Sequence, residues 1–327
     1  MEPQKEPNPN YLPYPPFPQS KEDEIDLREL FKALWKGKWI IIVTTFVFAI
    51  GSVLYALSLP NIYKADALLA SAESSSGGGI SQMANQLGGL AALAGVNIGG
   101  GETSKTDLAV QVISSRQFVD RFINKHDLLV PLMAARGWDS VNNKLVLDEE
   151  LYNSSTGEWL REPDGLRGAT PTAQEAFEVF ITKVLSVTQS KENGLYTVSV
   201  EFYSPYLAQQ WVNFLIEDIN KVMRERTIAE SSQNLAYLEN QLQKTAVADM
   251  QSTFYKLIED QTKSLMLAEV QKEFVFKIVD PAVVPELKAG PKRALICVLG
   301  TLLGGVLSII LVVIGFACRK EKVDTNN

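Results

Sequence analysis

Apolar and polar positions are sorted along this chain into two unbroken apolar runs near the ends and a long patterned stretch between them. The first run, Trp39 to about Leu59, and the second, Ala294 to about Ala317, contain no charged residue. Each has roughly the 20 residues that a helix needs to cross a hydrocarbon core about 30 Å thick. They are read as transmembrane helices over 39–59 and 294–317. A signal peptide fits the first run poorly, because about 38 residues precede it and no small-residue cleavage site follows.

Between the runs the periodicity alternates between that of strands and that of helices. NIYKADALLA predicts a strand, and Leu108, Val112, Phe118 and Phe122 mark a helix from about Lys105 to His126. A short helix at about 172–183, with Ala173, Ala176, Phe177 and Phe180, leads to VLSVTQS and LYTVSVEFYS. The turn Glu192-Asn193-Gly194 joins these two as a hairpin, in which Tyr196, Val198, Val200 and Phe202 alternate with polar neighbours. FVFKIVD is a last strand before the second run. The order strand, helix, helix, strand, strand, helix, strand predicts a split βαβ, ferredoxin-like layout when the second helix is counted as an insertion. Since the outer strands continue into the apolar runs, the sheet is expected beside the membrane. The stretch 127–170 reads as irregular and acidic, with Trp138 and Trp159 packing into it. Residues 74–101 are rich in glycine and serine and read as a mobile loop.

Ser204-Pro205 supplies an N-cap and a first-turn proline, and no glycine or proline follows from Tyr206 to Asp280. One helix over about 205–272 is expected, on the order of 100 Å long and bent near 225–232. Leu235, Leu238, Leu242, Phe254, Leu257, Ile258, Leu265 and Ala268 recur along it. With no obvious partner in a single chain, that face favours association with further copies, and a closed ring is the usual symmetric outcome. A coiled coil with the helices at 105–136 is the intramolecular alternative. Gly300 and Gly304, and Ser52 and Ala56, give small residues four apart in the two runs, which favours close helix contact between the spans or between subunits.

Charge sets the orientation and removes most chemistry. Arg28, Lys32, Lys36 and Lys38 precede the first run and only Lys64 closely follows it, so the positive-inside rule places the N-terminus in the cytoplasm. The second run has basic residues on both sides, and two crossings return the C-terminus to the cytoplasm. Residues 60–293 then form a periplasmic domain, with a short cytoplasmic tail at 318–327. At the N-terminus, 1–24 reads as a disordered proline-rich tail, and 25–38 as an amphipathic helix in the interface. A net charge of −7 argues against nucleic acid and anionic lipid as general partners. Cys297 and Cys318 lie too far apart along one helix to pair. His126 is the only histidine, and no P-loop occurs, so catalytic, metal and cofactor sites are all expected to be absent.

On these residues the chain resembles the Wzz family of polysaccharide chain-length determinants, the polysaccharide co-polymerases. The carriers are IDLRELFKALWKGKWIII, SVEFYSP, LIEDQTKSLMLAEVQKEF and VFKIVDPAVVPELKAGPKRALI. The last is similar to the family's proline-rich element, with Pro281, Pro285 and Pro291 ahead of Lys292 and Arg293. Those prolines would keep 281–293 extended and stiff. Lys288, Lys292 and Arg293 read as interfacial anchors, with carrier pyrophosphate as the alternative. The resemblance implies an α+β protein: a membrane-proximal base, a very long periplasmic helix and two transmembrane helices. It also implies a ring-forming homo-oligomer of about eight subunits in the bacterial inner membrane. Its implied role is non-catalytic, setting the modal length of lipid-linked polysaccharide extended by a Wzy-type polymerase. With no kinase motifs after the second run, the chain is similar to the branch serving O-antigen of lipopolysaccharide. The alternative class is a two-span periplasmic sensor or transport adaptor.

Overall fold

The computed structural model describes residues 34–72, 104–245 and 248–324. The expected tail at 1–24, most of the interfacial helix at 25–38 and the glycine-rich stretch at 74–101 lie outside the described residues. The chain divides into an α/β unit, Leu59–Lys292, and a second unit formed by its two ends.

The α/β unit is built on a four-stranded antiparallel sheet in the order β6-β7-β1-β8. Its strands are β1 (Tyr63–Ser71), β6 (Leu185–Gln189), β7 (Tyr196–Phe202) and β8 (Phe276–Asp280). The register of β1 on β7 runs from Tyr63 opposite Phe202 to Leu69 opposite Tyr196. β1 pairs with β8 through Leu68 opposite Asp280 and Ser71 opposite Phe276, with a bulge between Leu68 and Leu69. Taken in chain order, these are the first, second, third and fourth strands of a ferredoxin-like arrangement, each antiparallel to its neighbour. Alternation chooses the buried face: Ala65, Ala67 and Leu69 of β1 and Tyr196, Val198, Val200 and Phe202 of β7 are all buried.

Four helices supply the rest of that core: α2 (Lys105–Ile113), α3 (Arg116–Lys125), α5 (Ala173–Val179) and the first half of α6 (Pro205–Lys244). Trp211, Val212, Leu215 and Ile219 of α6 meet Phe122 and Val119 of α3 and Phe180 in one cluster. The helix expected over 105–126 is two helices. Ser114 caps the end of α2, and the Ser115 hydroxyl accepts from the Phe118 N–H to start α3. Adjacent serines favour caps over helix interiors, which divides the periodic stretch there. α5 starts with a capping box between Thr172 and Glu175 and ends in a π turn, Phe180–Val184, that feeds β6.

The stretch 127–170 carries more structure than its composition suggests. α4 (Leu129–Ala134) is followed by two small hairpins, β2 (Ala135–Asp139) with β3 (Lys144–Leu147) and β4 (Tyr152–Asn153) with β5 (Glu158–Trp159). Trp159 packs within the stretch, against Tyr152, whereas Trp138 departs from the expectation and packs outside it, against Tyr63 and Tyr206.

In the second unit, α1 (Lys38–Ser58) packs along α8 (Arg293–Asp324). Lys38–Ser58 and Arg293–Gly315 are long and apolar enough to cross a membrane, and their apolar windows are only 6% and 17% buried. A core helix of a soluble protein would hide that surface, so the exposure fits a lipid environment.

Candidate functional site

The largest departure from the sequence reading lies in the glycine-free stretch. A single helix over 205–272 does not form. α6 stops at Lys244 with Thr245 as its extended cap, and α7 (Ala248–Val270) packs back along it. Both ends of this helical hairpin are pinned. At the far end the Gln251 side-chain amide donates to the Thr245 carbonyl at 2.8 Å. At the base, Asn220 accepts from the Val275 and Phe276 N–H groups at 2.8 and 3.0 Å and donates to the Phe276 carbonyl at 3.1 Å.

The covered positions are Ile228, Ser231, Leu235, Leu238 and Leu242 in α6 and Phe254, Ile258, Gln261, Leu265 and Ala268 in α7. Each of these residues is buried or half-buried, and in both arms they recur at alternating spacings of three and four. That is the a/d seam of a two-stranded coiled coil. Within the chain, the apolar stripe packs against its own second arm and not against the helices at 105–136. Of the six leucine and phenylalanine positions put forward as an oligomer face, Leu235, Leu238, Leu242, Phe254 and Leu265 lie in this seam, while Leu257 lies outside it and is 43% exposed. The physical reason is that spacing specifies an apolar stripe without saying which helix covers it, and the turn at 245 carries no glycine or proline to announce itself.

The proline-rich return, 281–292, leaves the end of β8 and closes on Ile62. Ala289 and Gly290 donate to the Ile62 carbonyl at 2.8 and 3.2 Å, and Ile62 donates back to the Gly290 carbonyl at 2.9 Å. Asp280 lies opposite Leu68 and Gly290 opposite Ile62, so ten steps of return cover six steps of β1. The strap is therefore bowed. Its one buried residue is Ala282, whose carbonyl accepts from the Gln209 side chain at 2.9 Å. Pro281 and Lys292 are exposed, and Pro285 and Pro291 are half-buried.

Within the paired helices Gly300 meets the small Ser52, whereas Gly304 meets Phe48. A Cβ at Gly300 would lie 2.5 Å from the Ser52 Cβ, and one at Gly304 would lie 2.4 Å from the Phe48 Cβ. Ala56 is 1% exposed. The backbones thus approach as closely as they do because these positions lack side chains. Beside this contact runs an apolar groove of about 630 Å³, lined by Phe48, Gly51, Ser52, Tyr55, Leu299 and Gly300 among others.

Polar side chains in the α/β unit form clamps. The Lys125 ammonium and His126 Nε2, the latter at 2.9 Å, converge on the buried Asp218 carboxylate, and the His126 ring stacks on Phe214 at 4.1 Å. This ties α3 to α6. Arg161 grips Glu175 through two hydrogen bonds of 2.8 Å. That pairing, with the Thr172 N–H, holds the Glu175 carboxyl down at about 2. Among the described residues, no group of three or more His, Cys, Asp or Glu is placed to hold a metal. The sequence reading missed Asn220, Gln251 and Phe48. A polar residue in a buried helical stripe is the signal that marks Asn220.

Residues 23–126 match the model of the Wzz chain length determinant protein. Residues 239–315 match that of a G-rich domain on putative tyrosine kinase. No curated protein matches the chain. Among solved structures, a full-length bacterial polysaccharide co-polymerase is 15% identical, with a TM-score of 0.36, covering 90% of this chain and 99% of its own. A fragment of WzzB, a polysaccharide co-polymerase from Salmonella Typhimurium, is 13% identical with a TM-score of 0.28 over 70% of this chain and 99% of its own. The first match runs through α1, β1, α2 and α3 and the second through α7, β8 and about the first two thirds of α8, so the chain carries a Wzz chain length determinant domain and, after it, a G-rich domain.

Proposed function

We propose that the protein regulates, without catalysis, the modal chain length of a surface polysaccharide, most specifically the O-antigen of lipopolysaccharide. In this reading it acts beside a Wzy-type polymerase in the bacterial inner membrane. Its α/β unit faces the periplasm, both termini are cytoplasmic, and the polymer it governs is carried on a lipid. The observation that carries the reading is the Wzz match over 23–126, joined to an α/β unit whose two ends both run into helices fit to span a membrane.

The working form is a homo-oligomeric ring of about eight copies, the closed symmetric arrangement expected of identical subunits. Support comes from the hairpin. Outside its seam it still exposes Tyr237, Tyr255, Leu257, Met266 and Val270, apolar side chains available to a neighbouring copy. Pro281, Pro285 and Pro291 stiffen the strap between that ring and the second span. Gly300 and Gly304 keep the two spans in contact, where they meet the polymerase.

Deleting the gene tests this directly. Lipopolysaccharide on a gel is expected to change from bands clustered about one length to a random distribution. An unaltered pattern for every surface glycan would overturn the reading.

A further inference from the structure

The end of the α/β unit where the chain enters and leaves carries an aromatic cluster that the core does not need. Ile62 and Gly290 are bonded to one another there, and the register puts Phe202, followed by Tyr203 and Tyr206, at the same end. Trp138, from the β2–β3 hairpin, packs edge-on to Tyr63 at 5.7 Å and tilted against Tyr206 at 6.1 Å. Its Nε1 donates within the hairpin to Asn143 at 3.0 Å, so its polar end is satisfied and outward. Three residues beyond it, at the hairpin tip, Val141 is 89% exposed, and Leu287, just ahead of Gly290, is 84% exposed.

Chain length limits how far this end can stand from a bilayer. Four residue steps separate Ile62 from Ser58, at most about 14 Å of extended chain, and three separate Gly290 from Arg293, about 10 Å. α1, at 21 residues, is about as long as the hydrocarbon core is thick, so its last residue falls at the hydrocarbon boundary. The headgroup layer adds roughly 5–8 Å on each side. Tryptophan and tyrosine are the side chains enriched at that depth, because each joins an apolar ring to a polar tip.

We propose that this end of the α/β unit is a foot planted in the lipid interface. Tyr63, Trp138 and Tyr206 lie among the headgroups, and Val141 and Leu287 reach the acyl boundary. The occupant of this surface is phospholipid, chosen by the two short tethers, by the aromatic composition and by the two bare aliphatic tips. The foot fixes the tilt of the unit on the membrane, which the two short tethers alone do not set. It rests on the reading of α1 and α8 as membrane spans.

The test uses the full chain in nanodiscs of phosphatidylcholine and phosphatidylglycerol, with Cys297 and Cys318 replaced by alanine. Single cysteines at Val141→Cys, Lys191→Cys or Val53→Cys carry an environment-sensitive dye. Lys191 sits at the β6–β7 turn, at the opposite end of the sheet, and Val53 sits in α1. The dye at 141 is expected to be quenched by lipid spin-labelled near the headgroup at least about two-fold more than the dye at 191, and to be shielded from iodide. If 141 behaves like 191 while 53 is quenched by lipid, the foot is overturned and the spans stand. If 53 also escapes lipid quenching, the membrane reading fails and takes the foot with it.

Discussion

The base of the α/β unit and the first arm of the helical hairpin that grows from it share one continuous helix, α6, yet the two regions bury side chains in different ways. Below Met223, α6 contributes Trp211, Val212, Leu215 and Ile219, each no more than 1% exposed, to a core closed by a sheet and three further helices. Above it, the seam positions of both arms are mostly half-buried, and only Ser231 and Ala268 are fully covered. A residue in the base is surrounded, whereas a residue in the arms has one neighbour helix and water beyond. The same amphipathic sequence can therefore specify a stable base and a marginal arm.

The largest effect that separates the two regions is expected in the base. Trp211→Ala removes a fully buried indole packed 4.4 Å from the Phe202 ring and should cost about 3–5 kcal/mol. Thermal unfolding of the purified protein, followed by near-ultraviolet circular dichroism, checks it. A loss below about 1 kcal/mol would mean that the base is not the cooperative core described here. Next comes Asn220→Ala, where three buried backbone groups of Val275 and Phe276 lose their partner, at about 2–3 kcal/mol. Its signature should be local as well. The second arm should loosen from the first, so that limited proteolysis near residue 245 speeds up more than global unfolding does. Leu238→Ala, in the seam, should cost only about 1–2 kcal/mol, because the site is already half open to water. A cost equal to that of Trp211→Ala would show the arm to be buried in an assembly, which measurement as a function of protein concentration would confirm.

The sheet was legible in the sequence because period-two alternation in its central strands β1 and β7 had a buried face to satisfy, and the Asn193-Gly194 turn set the β6–β7 register by itself. The spans were legible for the same kind of reason, since length and absence of charge decide them. The hairpin was not. Its stripe at 228, 231, 235, 238 and 242 and that at 251, 254, 258, 261, 265 and 268 are each an ordinary heptad seam. Nothing in a heptad says whether the facing helix comes from the same chain. Reversal occurs at Thr245 without a turn residue, so composition read through it. Asn220, the pin at the base, is a single polar position among apolar ones, and its partners lie more than fifty residues away. Likewise, Trp138 gave its type but not its neighbours, since Tyr63 and Tyr206 come from two other elements.

The smallest expected effect tests whether the periphery of the base is as tightly specified as its centre. Glu175 bonds Arg161 through both oxygens while its backbone and carboxylate complete the box with Thr172. Its carboxyl titrates near 2 in the folded chain against an ordinary value of 4.5, so the folded state binds this proton less readily than the unfolded one. The stability it contributes is therefore fully present above about pH 5 and is lost as the pH falls from there toward 2. Glu175→Gln keeps the geometry of the capping box and removes only the charge facing Arg161. At pH 7 it should cost about 1 kcal/mol, discounted for the partial exposure of the guanidinium, and the gap from the unaltered protein should close as the pH is lowered through 4 to 3. Unfolding midpoints for the two proteins across that range decide it. A gap that stays constant with pH would show that Arg161 reads the shape of residue 175 and not its charge.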